Sequence, residues 1–193
     1  MNRFNLQGSD RFFLIVNHKK NMIKAYFNEI TKPYTIDYVD EDIPLGTGGG
    51  LSLLNGKINS TFILSNCDIL IDEDYHKIFE YHKKERNLIT MVCSLKNVTI
   101  PYGVIEIATT GEIEDIREKP ELPFFVNTGM YVVEPEIIED LEPNTSISFP
   151  DIIDGYRHTG QKVGVYPISE RSWLDMGQLD EMEAMRRRLE HEE

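Results

Sequence analysis

Phe62-Ile63-Leu64-Ser65-Asn66-Cys67-Asp68-Ile69-Leu70-Ile71-Asp72 is the stretch whose reading decides the fold. Phe62, Ile63 and Leu64 form a short continuous apolar run, the pattern of a strand buried in a parallel sheet. Ser65, Asn66 and Asp68 follow where the strand leaves the sheet. In open α/β sheets that carboxyl edge is where ligands bind. Asp68 is therefore a candidate catalytic or metal-binding carboxylate. The competing role is N-cap of the next helix, for which aspartate is a favoured residue.

The pattern on both sides of this stretch repeats it. Upstream, Phe12–Val16 reads as a buried strand. Lys20–Ile30 reads as a helix with Met22, Ile23, Tyr26, Phe27 and Ile30 on one face. Thr35–Val39 is a second strand, and Pro44–Leu51 a glycine loop opening a helix. Downstream, Tyr75, Ile78, Phe79 and His82 mark a helix, and Leu88–Leu95 a strand. This alternation predicts an α/β fold, a mostly parallel (mixed) Rossmann-like sheet with helices on both faces, within a single domain over 1–193. Beyond residue 100 the pattern changes. Tyr102–Ala108 and Ile113–Ile116 read as strands about a turn at Thr109–Glu112, and Phe124–Val133 as a long mixed strand. Pro135–Leu141 and Phe149–Tyr156 read as helices, Val163–Ile168 as a strand. A charged helix is expected from Leu179, with Arg186, Arg187 and Arg188 on a solvated face.

Composition narrows the function. The 193 residues carry a net charge of −13, which argues against nonspecific nucleic-acid binding, since that needs a basic face. An acidic protein that handles phosphates needs a divalent cation or a few placed Lys and Arg side chains. Cys67 and Cys93 lack metal or redox spacing and read as buried free thiols of a reducing compartment. No apolar run reaches membrane-span length and the first residues lack a signal-peptide pattern, so the expected setting is cytoplasmic with no membrane partner. The five histidines are scattered, which disfavours a histidine metal site.

Four further segments can carry chemistry. Gly46-Thr47-Gly48-Gly49-Gly50 lies between a strand and a helix, where glycines admit a ligand and a helix start offers N–H groups. No Lys-Ser or Lys-Thr follows, so it is not a Walker loop. It partly matches the dinucleotide fingerprint, with Leu51 where a third glycine or alanine belongs and Asp68 about 20 residues on. A nicotinamide oxidoreductase therefore competes, as does a plain structural loop. Glu118 and Lys119 precede Pro120, which predicts an extended presentation. Lys119 could meet a phosphate as a point charge, or be surface decoration. Asn127-Thr128-Gly129 interrupts an apolar run, as a ligand contact or a β-bulge. Trp173-Leu174-Asp175-Met176-Gly177 supplies a second carboxylate. Asp175 either caps the last helix or joins Asp68 on one Mg²⁺.

In this order the segments resemble the sugar-1-phosphate nucleotidyltransferases, the nucleotide-sugar pyrophosphorylases. Leu45-Gly46-Thr47-Gly48-Gly49 is similar to the family's base-contacting loop and Asn66-Cys67-Asp68 to its strand-end Asn-Gly-Asp. Tyr102-Gly103-Val104, Glu118-Lys119-Pro120, Val126–Tyr131 and Trp173–Gly177 follow in the family's order, and the Gly-Thr-Gly-Gly form resembles the mannose- or heptose-1-phosphate guanylyltransferase branch. The resemblance implies that Asp68 and Asp175 hold a catalytic Mg²⁺ and that Gly46, Thr47, Gly48 and Gly49 bind the nucleotide. It implies that Gly103, Glu118, Asn127 and Thr128 meet the sugar and Lys119 its phosphate. The implied partners are a nucleoside triphosphate and a sugar 1-phosphate. One departure stands out: residues 1–11 contain no Gly-Gly-x-Gly-Thr-Arg signature, the loop that grips the triphosphate. The family strand that carries it would lie between Phe12–Val16 and Phe62–Leu64. The expectations are an N-terminally incomplete domain with little activity alone and self-association through unpaired strand edges. The alternative within the fold is a non-catalytic sugar-nucleotide-binding subunit.

Overall fold

The computed structural model describes residues 1–177; the helix expected from Leu179 and its three arginines lie outside the described residues. In chain order the elements are α1 (Asn2–Leu6), β1 (Arg11–Val16), α2 (Lys20–Glu29), β2 (Thr35–Asp40), α3 (Gly46–Gly49), β3 (Phe62–Ser65), β4 (Ile69–Ile71), α4 (Tyr75–Glu85) and β5 (Ile89–Thr99). They continue with β6 (Gly103–Ile107), β7 (Ile113–Glu118), β8 (Glu121–Val133), α5 (Glu136–Glu139), α6 (Phe149–His158), β9 (Val163–Ile168) and β10 (Trp173–Asp175). A 3₁₀ turn, Gly50–Leu54, continues α3. The fold is mixed α/β: β1 and β2 pair in parallel, β4 with β10 and β6 with β7 antiparallel, and a four-stranded sheet has the order β3–β8–β5–β9.

The contacts group the described residues into two compact units, each assembled from separated segments: 1–64, 74–91 and 131–164 in the first, 65–73, 92–130 and the stretch from Val165 in the second. The first unit holds the main apolar core. Leu51, Leu54, Ile89, Val133, Ile137 and Phe149 belong to one buried cluster, and the Tyr131 and Phe149 rings meet at 4.4 Å between centroids. The helical periodicity of α6 places Phe149, Ile152 and Ile153 inward, as its spacing predicts. The Ser148 hydroxyl accepts from the Asp151 N–H and caps the helix. In α4, Tyr75, Ile78 and His82 are buried, and Asp74 is the N-cap, accepting from the His76 and Lys77 N–H groups. Asp68 is therefore not the cap of this helix.

Several expectations are corrected. Met22 and Tyr26 of α2 are exposed, and only Ile23 and Phe27 of the expected apolar face are half-buried. Periodicity fixes a helix and its stripe, not how much of that stripe a neighbour covers. Cys93 is buried, its thiol donating to Tyr166 O with burial raising its pKa, but Cys67 is exposed on the β3–β4 connection. Lys119 is not extended: its φ is +46°. Residues 119–120 join β7 to β8 while staying bonded to the segment 100–102, through Lys119 N–H to Tyr102 O and Ile100 N–H to Pro120 O, and the positive φ kinks the chain at this step.

Candidate active site

The second unit gathers the strand-end carboxylates. As the chain leaves β3, the Asn66 N–H donates to Gly129 O at 2.9 Å. Gly129 has φ +86°, and a Cβ there would lie 2.6 Å from the Asn66 side-chain nitrogen. Only glycine lets Asn66 settle over β8 at this point. The Asn127 side-chain oxygen accepts from the Gly129 N–H at 3.0 Å, which fixes the interruption of the strand. Two residues on, Asp68 sits at the foot of β4. Here β4 pairs antiparallel with β10, placing Asp175 opposite Ile69, and the Met176 N–H donates to Asp68 O at 2.9 Å. Asp68 and Asp175, far apart in sequence, thus leave adjacent backbone segments.

Their side chains differ. Asp68 is exposed, and its carboxylate has no hydrogen-bond or ion-pair partner among the described residues. Asp175 is half-buried, with Oδ1 accepting from the Gly177 N–H at 2.8 Å. Among the described residues no three His, Cys, Asp or Glu side chains converge on a point. Mg²⁺ does not need three: it is commonly held by one or two carboxylates, with substrate phosphates and waters completing its shell. The donor set fits such an ion and does not fit a caged, all-protein site.

The remaining acceptor-side candidates fall into two groups. At the base of the β6–β7 hairpin, Gly103 pairs with Glu118, and a Cβ on Gly103 would stand 3.0 Å from Glu118 Oε2. Lys119 follows, exposed, with its N–H on Tyr102 O at 3.3 Å. Its ammonium has no partner among the described residues. Asn127 and Thr128 are separated by the strand's own alternation. Asn127 is exposed, whereas Thr128 is 2% exposed and its hydroxyl donates to Val92 O at 2.8 Å. Thr128 ties β8 to β5 and has no surface to offer a sugar.

The glycine loop belongs to the first unit and is helical from Gly46 onward. Gly46 and Thr47 are exposed; Gly48 and Gly49 are buried. Both buried glycines donate their N–H groups to Ile147 O, at 3.0 and 3.1 Å. A Cβ on Gly48 would lie 2.5 Å from Ile152 Cδ1, and one on Gly49 2.1 Å from Thr145 O. The Phe149 N–H donates to the Thr47 hydroxyl at 3.1 Å. These glycines let the loop pack flat against residues 145–149. The N–H groups of Gly48 and Gly49 are engaged there, contrary to the expectation of free donors.

The nucleotidyl transferase family profile matches residues 1–192. The chain belongs to the nucleotidyl transferase family. Among its relatives, the mannose-1-phosphate guanyltransferase of Saccharomyces cerevisiae is 30% identical over 185 residues, which covers 89% of this chain and 49% of the relative. The enzyme of the same name from Kluyveromyces lactis is 32% identical over 189 residues, with the same coverage. The chain thus spans about half the length of the curated relatives it matches. The crystal structure of HddC from Yersinia pseudotuberculosis superposes with a TM-score of 0.70 at 23% identity, over 94% of this chain and 79% of that one. That likeness is one of fold.

Two residues carry more of the site's geometry than their place in the sequence suggests. Asn66 anchors the β3 exit on β8; its place between a strand and Asp68 was the available signal. Lys96, on β5, lies over the Trp173 ring with Nζ 5.7 Å from the centroid. Nothing local in the sequence marks it, because the contact joins strands far apart in the chain.

Proposed function

We propose that this chain is a sugar-1-phosphate nucleotidyltransferase domain, transferring a nucleotidyl group to a sugar 1-phosphate with release of pyrophosphate. An oxygen of the sugar phosphate attacks the α-phosphorus of a nucleoside triphosphate. A new P–O bond forms as the bond to the pyrophosphate leaving group breaks. The observation that carries the reading is the pairing of β4 with β10, which brings the Asp68 and Asp175 backbones together. Asp68 and Asp175 would hold a Mg²⁺, which when bound neutralises phosphate charge. The protein's own task is positioning and electrostatic stabilisation. Lys119 binds the sugar phosphate, while Glu118, Gly103 and Asn127 orient the sugar hydroxyls. Gly46 and Thr47 are the part of the glycine loop exposed to a nucleobase, and Gly48 and Gly49 hold that loop in shape. The names of the fungal relatives support guanosine triphosphate and mannose 1-phosphate as first substrates to try.

The test is binding first and turnover second. Mg²⁺-dependent affinity for GTP and mannose 1-phosphate, lost in Asp68→Asn and Asp175→Asn, supports the reading. Affinity that is indifferent to Mg²⁺ and to both substitutions overturns it. A second reading is a sugar-nucleotide-binding subunit without catalysis. Such a subunit is expected to bind substrates while releasing little pyrophosphate. Robust release would remove the second reading.

A further inference from the structure

We propose that Lys96 is a phosphate-binding residue of the aspartate site, contacting a phosphoryl oxygen of the sugar 1-phosphate; this rests on the nucleotidyltransferase reading above. The argument begins with β10. Trp173 and Asp175 are two positions apart on this strand, so their side chains project from the same face. Lys96 Nζ stands 5.7 Å from the centre of the Trp173 ring. A half-buried ammonium is thereby held on the face that carries the Asp175 carboxylate.

Three features make this more than packing. The ring fixes the position of an otherwise flexible cation, because indole is the strongest of the aromatic partners for one. Trp173 is 8% exposed, and its Nε1 has no acceptor among the described residues, an unusual state for a buried indole N–H. Ser94, on the same face of β5 as Lys96 by strand alternation, is fully buried and its hydroxyl also lacks a partner among the described residues. Both groups thus keep an open hydrogen-bonding position among the described residues. The chain's charge adds a reason: at −13 overall, with Asp68 and Asp175 leaving adjacent backbone segments, a phosphate dianion meets repulsion that a fixed cation on the face of Asp175 relieves.

Trp173 is the single tryptophan of the chain, so its fluorescence reports on this contact alone. The full chain is titrated with mannose 1-phosphate and with mannose, each with Mg²⁺ and with a chelator. The wild-type protein is expected to give a saturable change with mannose 1-phosphate and Mg²⁺, and none with mannose. Lys96→Met, which keeps the aliphatic stem over the ring, is expected to weaken that response about tenfold or more, the scale of a lost charge-assisted hydrogen bond. Lys96→Arg is expected to restore most of it, and both variants to melt within a few degrees of wild type. A Lys96→Met titration that overlays wild type overturns the assignment while leaving the transferase reading intact. A wild-type protein blind to Mg²⁺ and to mannose 1-phosphate overturns both. A measurement free of mutation stands beside these: mannose 1-phosphate with Mg²⁺ should protect Lys96 from amine acetylation as mapped by mass spectrometry, and unchanged labelling counts against the assignment.

Discussion

The two units use the same residue types to different ends. In the first, isoleucines and leucines close on one another: Leu51, Leu54, Ile89, Ile137 and Ile138 are all buried in one cluster. In the second, Ile105, Ile107, Ile113 and Ile116 are opposed in register on the β6–β7 hairpin, yet each is more than half exposed. The glycines divide the same way. A Cβ on Gly49 would meet backbone oxygen at 2.1 Å, whereas one on Gly103 would meet only the movable end of Glu118. The sequence of the first unit is explained by its own packing. Much of the second is not: the Asp68 carboxylate and the Lys119 ammonium are exposed and have no partner among the described residues, as on a surface built to meet something else.

The strongest way to break this comparison is to disturb both units equally. Ile137→Ala, at a fully buried position, should cost about 2–5 kcal/mol by loss of burial and creation of a cavity. Gly49→Ala should cost about 3 kcal/mol, because the Thr145 carbonyl cannot move aside without dragging the loop with it. Gly103→Ala should stay within about 0.5 kcal/mol, since a flexible carboxylate gives way. Urea unfolding of the three variants checks this. Comparable losses at Gly49 and Gly103 would show that the second unit is as tightly determined as the first.

The pH dependence of stability sharpens the contrast, because the largest buried titratable network lies in the first unit. His82 is fully buried, with Nδ1 2.8 Å from the Thr90 hydroxyl and Nε2 3.0 Å from Glu134 Oε1. The Asn87 amide donates to Thr90 Oγ1. Thr90 therefore gives its proton to Nδ1, and a neutral ring donates from Nε2 to Glu134. Burial pushes the His82 pKa below its ordinary 6.5, against the opposing pull of Glu134. Glu134 is itself lowered: burial works to raise it, but hydrogen bonds from Thr61, His82 and Lys83 outweigh that. A histidine depressed on folding contributes stability above its unfolded pKa and loses it as pH falls through about 6.5. Glu134 has the same sign, with its loss beginning below about pH 4.5. Urea midpoints should accordingly decline from pH 7 towards 5, and His82→Gln should flatten that decline. A His82→Gln profile parallel to wild type would sink this account.

The legible parts of this molecule were those governed by local periodicity. The apolar spacing of Phe149, Ile152 and Ile153 announced α6, and the run Phe62–Leu64 followed by Asp68 announced a strand end with an exposed carboxylate. Partner choice was not legible. Nothing near Asp175 says that β10 will pair with β4, or that Lys96 will reach Trp173. Adjacent polar residues were a second blind spot. Asn127 and Thr128 looked alike as candidates, but strand alternation turns one to solvent and the other inward. The glycine loop misled for a related reason. Close approach of backbone and close approach of ligand ask for the same residue, and only the position of residues 145–149 separates them.

A smaller effect is expected at the cap of α4. Asp74→Ala removes the acceptor of the His76 and Lys77 N–H groups and should cost about 1 kcal/mol, read as a shift in urea midpoint. A shift below a few tenths would mean that water replaces the cap fully.

The smallest effect on folding should come from the apolar face of the hairpin. Ile105 stands opposite Ile116 and Ile107 opposite Ile113, 51 to 67% exposed. Two strands alone are marginally stable, and this ribbon gains little from burying those side chains in the monomer. Ile116→Lys should therefore leave the urea midpoint of the chain within about 0.5 kcal/mol of wild type. The same substitution breaks up an exposed apolar patch, the kind of surface that drives association. Sedimentation at rising concentration should show less self-association than wild type. Unchanged self-association would move attention to the strand edges at β1 and β3, which end their sheets among the described residues. A large loss of folding stability would instead mean that the ribbon's isoleucines serve the monomer, and the contrast between the two units would fail at its clearest point.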